Sequence, residues 1–140
     1  MNIDILLSHL RNVKSTGFNR WIASCPTRED KTPSMVIRLL NDGRILLHDF
    51  GGASPGEILD AMGLGFSDLF PEKLAHHFTK ERKPFSAMDI LLCLSKDTTH
   101  ILIAANKINI GKPLNENETK ALAQAVTRIS NAVEVAHGYP

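Results

Sequence analysis

Cysteine is scarce in this 140-residue chain: Cys25 and Cys93 are the only two, too few and too far apart for a disulfide framework or a four-cysteine metal site. No charge of one sign dominates. Sixteen Lys and Arg against fifteen Asp and Glu leave a formal net charge of +1, which excludes the acid-rich disordered class and requires any surface for a polyanion to be local. Long apolar runs are missing as well. The two longest, DILLCLS and HILIAAN, are broken by Lys96, Asp97 and His100, well short of a membrane span. The opening MNIDILLSHLRNVK has helical spacing and not the layout of a signal peptide, so a cytoplasmic protein is expected. No phosphate-binding glycine loop, Gly-x-Ser-x-Gly elbow or His-Glu-x-x-His helix occurs, and no enzyme is expected. His9, His76, His77, His100 and His137 are scattered and read as ordinary solvated or packed histidines.

What is present, 43% hydrophobic and 22% charged residues, suffices for one modest core. Ile3, Leu6, Leu7 and Leu10 recur at helical spacing and predict a first helix of about three turns, capped by Asn2 and ended by Gly17. The period then changes to two. RWIASC, MVIRLL and RILLHDF predict three strands, the last two joined by a tight hairpin at Asn41-Asp42-Gly43. Trp21, Ala23, Met35, Ile37, Leu39, Ile45, Leu47 and Phe50 offer one apolar sheet face for helices to cover. Ser54-Pro55-Gly56-Glu57 is a capping box with proline at the first helical position, and Gly63 ends that helix. Residues 71–84 are charged and weakly patterned, a linker. Beyond it Ser86 and Asp89 open one helical segment, with Thr98 and Thr99 as a potential break, and Asn115 with Glu118 boxes another. On the last helix Leu122, Val126, Ile129, Val133 and Ala136 form a stripe for an antiparallel neighbour. The fold class expected is α+β: residues 1–70 a small antiparallel three-stranded sheet flanked by helices, and residues 85–140 a helical hairpin on or beside it.

The informative stretch runs Cys25-Pro-Thr-Arg-Glu-Asp-Lys-Thr-Pro-Ser34, then Gly43-Arg-Ile-Leu-Leu-His-Asp-Phe-Gly-Gly-Ala-Ser54, then Asp68-Leu-Phe-Pro71. In order and spacing it resembles the zinc-binding domain of bacterial-type DNA primases, and more closely the relatives encoded by phages and integrated mobile elements. The likeness covers roughly residues 15–71, with a weaker one beyond. It implies a zinc ribbon whose four ligands fall at Cys25, Arg28, Asp49 and Gly52 or Ala53; only Cys25 is a thiolate donor. A structural zinc needs four donors, so no cofactor is expected. His48 could be recruited beside Cys25 and Asp49, but adjacent strand residues point to opposite faces. Arg28 instead suits an ion pair with Asp49 in the metal's place.

Between Arg11 and His48 lie seven basic residues, Arg11, Lys14, Arg20, Arg28, Lys31, Arg38 and Arg44, against Glu29, Asp30 and Asp42. With Phe18 and Trp21 they supply cations and aromatic platforms of the kind that hold single strands. The resemblance implies a DNA-contacting sheet surface at Arg20, Trp21, Lys31, Arg38 and Arg44. The function expected is a non-catalytic DNA-binding accessory module of a phage or mobile element, derived from a primase zinc finger, with single-stranded or duplex DNA and a replication protein as partners and no membrane. The alternative is a protein-interaction adaptor, or a self-associating module, using surplus apolar residues such as Ile101, Ile103 and Ile110 on the C-terminal helices. The oligomeric state is left open.

Overall fold

A four-stranded antiparallel sheet in the order β1-β2-β3-β4 forms the centre of the computed structural model, which describes residues 2–29, 32–71 and 83–138. The chain begins with α1 (Ile3–Ser8), capped by the Asn2 side chain, and then enters β1 (Arg11–Gly17). This corrects the expected three-turn helix and three-stranded sheet. The helical stripe ends at Leu10, and the backbone turns through Asn12 at φ 54° and Asn19 at φ 56°, the left-handed region that asparagine tolerates better than most residues. Asn12 sits in a bulge, where its side-chain amide donates to Ser24 Oγ at 2.9 Å.

Strands β2 (Arg20–Ser24), β3 (Met35–Leu39) and β4 (Ile45–Asp49) follow the predicted alternation. Gly43 takes φ 92° in the β3–β4 turn and donates to Leu40 O, the geometry a short hairpin needs. Trp21 pairs with Ile37, and Ile37 with Leu47, so this face carries Ala23, Met35, Ile37, Ile45 and Leu47 into one core with Leu6 of α1 and Ile58, Leu59 and Met62 of α2 (Pro55–Met62). The expected capping box of Ser54 and Glu57 is present, as is the left-handed Gly63 that stops α2. A 3-10 turn spans Phe66–Leu69.

The other sheet face is covered by a helical hairpin. Ile22, Val36 and Phe50 pack with Ile90, Cys93 and Ala132, on α3 (Ala87–Asn109) and α4 (Glu116–His137). Phe50 therefore belongs to this second core and not to the first. α3 runs unbroken through Thr98 and Thr99. On α4 the buried side chains are Ala125, Arg128 and Ala132, whereas Val126 and Val133, expected inside, are exposed. Most of the predicted linker, residues 72–82, lies outside the described residues. No helix among the described residues is long and apolar enough to cross a membrane.

Candidate nucleic-acid interface

Three of the positions at which the resemblance places metal ligands, Arg28, Asp49 and Ala53, meet at the Asp49 carboxylate. Asp49 ends β4 with its side chain fully buried. Arg28, in the loop between β2 and β3, grips it with both guanidinium nitrogens, Nη1 to Oδ2 at 2.8 Å and Nη2 to Oδ1 at 2.9 Å. Ser34 Oγ donates to Oδ1 at 3.1 Å, and the backbone N–H groups of Gly51 and Ala53 donate at 3.1 and 3.0 Å. Burial alone would raise the Asp49 pKa, but the Arg28 hydrogen bonds, those of Ala53 and Gly51 and the Arg28 charge outweigh it, leaving the carboxyl below its ordinary value. A Cβ at Gly51 would displace the Arg28 guanidinium from its present position.

This donor set does not suit zinc. A guanidinium cannot ligate a cation, and both Asp49 oxygens already accept hydrogen bonds. The Cys25 thiol is buried, which pushes its pKa up, and its sulfur lies 3.1 Å from Thr27 Oγ1. His48 is on the opposite sheet face, its ring 4.8 Å from that of Phe50 and 6.3 Å from that of Phe85. Its Nε2 has no hydrogen-bond partner among the described residues, and burial lowers its pKa against the opposing pull of Asp49. Among the described residues no group of three or more His, Cys, Asp or Glu side chains is placed to hold a metal.

The five residues expected to form a DNA-contacting surface do not share one. Arg20 and Arg38 are directly opposed across β2 and β3, on the face that α3 and α4 cover. Trp21 points the other way and is half-buried against the first core; period-two geometry makes this unavoidable for a neighbour of Arg20. Arg44 hydrogen-bonds Asp42 through Nε at 2.8 Å. Lys31 lies outside the described residues.

What the fold does assemble is a cleft of about 440 Å³ at the tip of the β1–β2 hairpin. Phe18, Arg20, Arg38, Lys83, Phe85 and Ser86 line it, and among the described residues no carboxylate does. Phe18 stands out at 88% exposure. Arg38 Nη1 is positioned by Pro84 O at 2.9 Å, and Arg20 by Thr16 O at 3.4 Å with Asp89 at 3.9 Å. A second groove, about 310 Å³, runs between the edge strand β1 and α3, lined by Lys14, Ser15, Thr16, Thr32, Ser95 and Lys96, again without a carboxylate among the described residues. Lys14 pairs with Ile22 across the strands and so shares the face of Arg20 and Arg38. Lys14, Phe18, Lys83 and Lys96 were absent from the expected site. The count of basic residues pointed to Lys14, and the aromatic content to Phe18; Lys96 comes in only through the packing of α3 beside β1, and Lys83 only through the segment before α3 lying against Arg38. No protein-family model matches the chain, and comparison with curated proteins and with solved structures finds no match.

Proposed function

We propose that this protein is a non-catalytic module that binds single-stranded DNA, a relative of the primase zinc-binding domains of phages and mobile elements in which an Arg28–Asp49 ion pair stands where the metal would be. The observation that carries the reading is the hairpin-tip cleft, where Arg20, Arg38 and Lys83 surround the exposed Phe18 with no acidic residue in the lining among the described residues. An exposed ring amid cations is suited to stacking one base while its phosphates are neutralised. The Lys14–Lys96 groove adds cations and hydroxyl donors along the same hairpin, enough to carry the backbone of a strand past the stacked base.

Fluorescence anisotropy with a short labelled single strand tests this. Affinity should fall linearly on a log–log scale with salt, and each of Lys14→Ala and Lys96→Ala should reduce the slope by about 0.7. Phe18→Ala should weaken binding by roughly tenfold, the effect of losing one stacked base, while leaving the melting temperature unchanged because the ring contributes nothing to either core. Absence of binding at low salt, or binding indifferent to Phe18, overturns the proposal.

A further inference from the structure

Helix α3 carries two apolar stripes, and only one is used among the described residues. The inward stripe of Ile90, Cys93, Asp97 and Ala104 meets the sheet and α4. On the opposite side Met88, Leu91, Leu92, Leu102, Ile103 and Ile110 stand exposed at 61, 60, 43, 60, 55 and 67%. With Thr99 and Asn106 they recur at spacings of three, four or seven along the helix, the spacing of a helix–helix seam, with Leu92 at its flank, where it also lines the groove beside β1. Ile101, by contrast, is half-buried, so of the three surplus isoleucines only Ile103 and Ile110 belong to this face.

We propose that this outward face of α3 packs against the same face of a second copy of the chain, making a twofold dimer. Two properties select that occupant. The first is area: at roughly 100 Å² for each large side chain, the six expose about 600 Å² of apolar surface, approaching the ~800 Å² each partner contributes to a standard interface. The second is charge. No member of the stripe from Met88 to Ile110 is charged, because Asp89 and Asp97 are buried on the inward side and Lys96 and Lys107 lie beside the stripe. A twofold axis sets a patch against itself, which penalises any patch with charge of one sign and costs a neutral one nothing. The same neutrality gives an acidic or basic partner nothing to recognise. Asn106, a polar member of the seam, is placed to fix its register.

The dimer does not depend on DNA binding, and its test is separate. Light scattering on the full chain eluting from a sizing column should give twice 15.4 kDa at micromolar concentration. Leu102→Glu and, independently, Leu91→Glu should each weaken association by about tenfold or more with the helical circular dichroism unchanged, since both positions are exposed. Phe18→Ala should remain dimeric. A wild-type chain that stays monomeric at high micromolar concentration overturns the proposal, as does a dimer that survives both glutamate substitutions. Binding of another protein or of lipid vesicles by a monomeric wild type also overturns it.

Discussion

Two buried Asp–Arg pairs, one in each half of the protein, are held in opposite ways. Asp49 at the end of the sheet accepts five hydrogen bonds, two from Arg28 and one each from Ser34, Gly51 and Ala53. Asp97 in the helical hairpin has a single bond, from Arg128 Nη1 at 3.0 Å, and its Oδ2 has no hydrogen-bond partner among the described residues. Side-chain exposure is 27% and 0% for Arg28 and Asp49, 8% and 2% for Arg128 and Asp97. The first pair organises loops that no regular structure holds; the second sits between helices that would pack without it. Redundancy in one and its lack in the other set how each should respond to substitution.

The largest effect is expected in the hairpin. Arg128→Met strands the Asp97 carboxylate in the interior and should cost about 3–5 kcal/mol in urea unfolding. Adding Asp97→Leu should restore the loss or exceed it, because two apolar side chains then replace a pair whose desolvation was poorly repaid. Arg28→Met should cost less, about 2–3 kcal/mol, since three other donors still hold the Asp49 charge and the guanidinium was partly hydrated. Here the second substitution, Asp49→Leu, should deepen the damage, because it leaves the Gly51 and Ala53 N–H groups and the Ser34 hydroxyl without their acceptor. If both double variants recover alike, the distinction between the two sites fails.

That contrast also explains what could be read from the residues alone. The Arg28–Asp49 pair was legible because the resemblance drawn from the sequence sets the two residues at positions expected to interact. The caps at Ser54 and Asn115 were legible because a capping box is a local motif, four residues long. Strand β1 was not, since Ile3, Leu6, Leu7 and Leu10 satisfy a helix, whereas the strand that follows carries a left-handed Asn12 in a bulge and is held by pairing with β2 across a turn with a second left-handed asparagine, Asn19. The Asp97–Arg128 pair was hidden for a different reason. Arg128 falls between Ala125 and Ala132 on the buried stripe, and a reading that keeps charge outside rotates α4 until Val126 and Val133 face inward. The cleft at Phe18 depends on where α3 lies against the sheet, a tertiary relation that no local pattern encodes.

Acid should separate two elements of the sheet half in sequence. His48 and Asp49 both have folded-state pKa values below their ordinary values of 6.5 and 3.8. The unfolded chain therefore takes up protons first, and stability present above those values is lost as pH falls. Thermal unfolding should show a first decline below pH 6.5, absent in His48→Leu, whose side chain needs no proton and leaves no orphaned nitrogen beside Phe50. A further decline should follow below pH 3.8, reduced in Asp49→Asn, whose baseline stability is already lower. A pH profile identical in wild type and His48→Leu would mean the imidazole is not buried in its neutral form.

The smallest effects concern the two capping boxes, and they sharpen the contrast between a helix packed in the core from its first turn and one whose first turn lies outside both cores. In each, the cap side chain accepts from the backbone three residues on and the glutamate there reaches back, Ser54 with Glu57 at 3.2 and 2.9 Å, Asn115 with Glu118 at 2.8 and 3.1 Å. An alanine at either cap removes about 1 kcal/mol of local helix stability. In α2 that loss has nowhere to remain local, because the first turn leads directly to Ile58 and Leu59 in the core; Ser54→Ala should lower the melting temperature by about 2–4 °C. The first turn of α4 carries Glu116, Asn117, Thr119 and Lys120, all exposed, and can fray without disturbing either core. Asn115→Ala should accordingly move the melting temperature less than Ser54→Ala while speeding amide exchange at Asn117, Glu118 and Thr119, as expected of a segment whose opening free energy is far below that of global unfolding. Equal melting shifts for the two variants would show that α4 is anchored from its first turn, as it would be if a second copy of the chain reached that far along the hairpin.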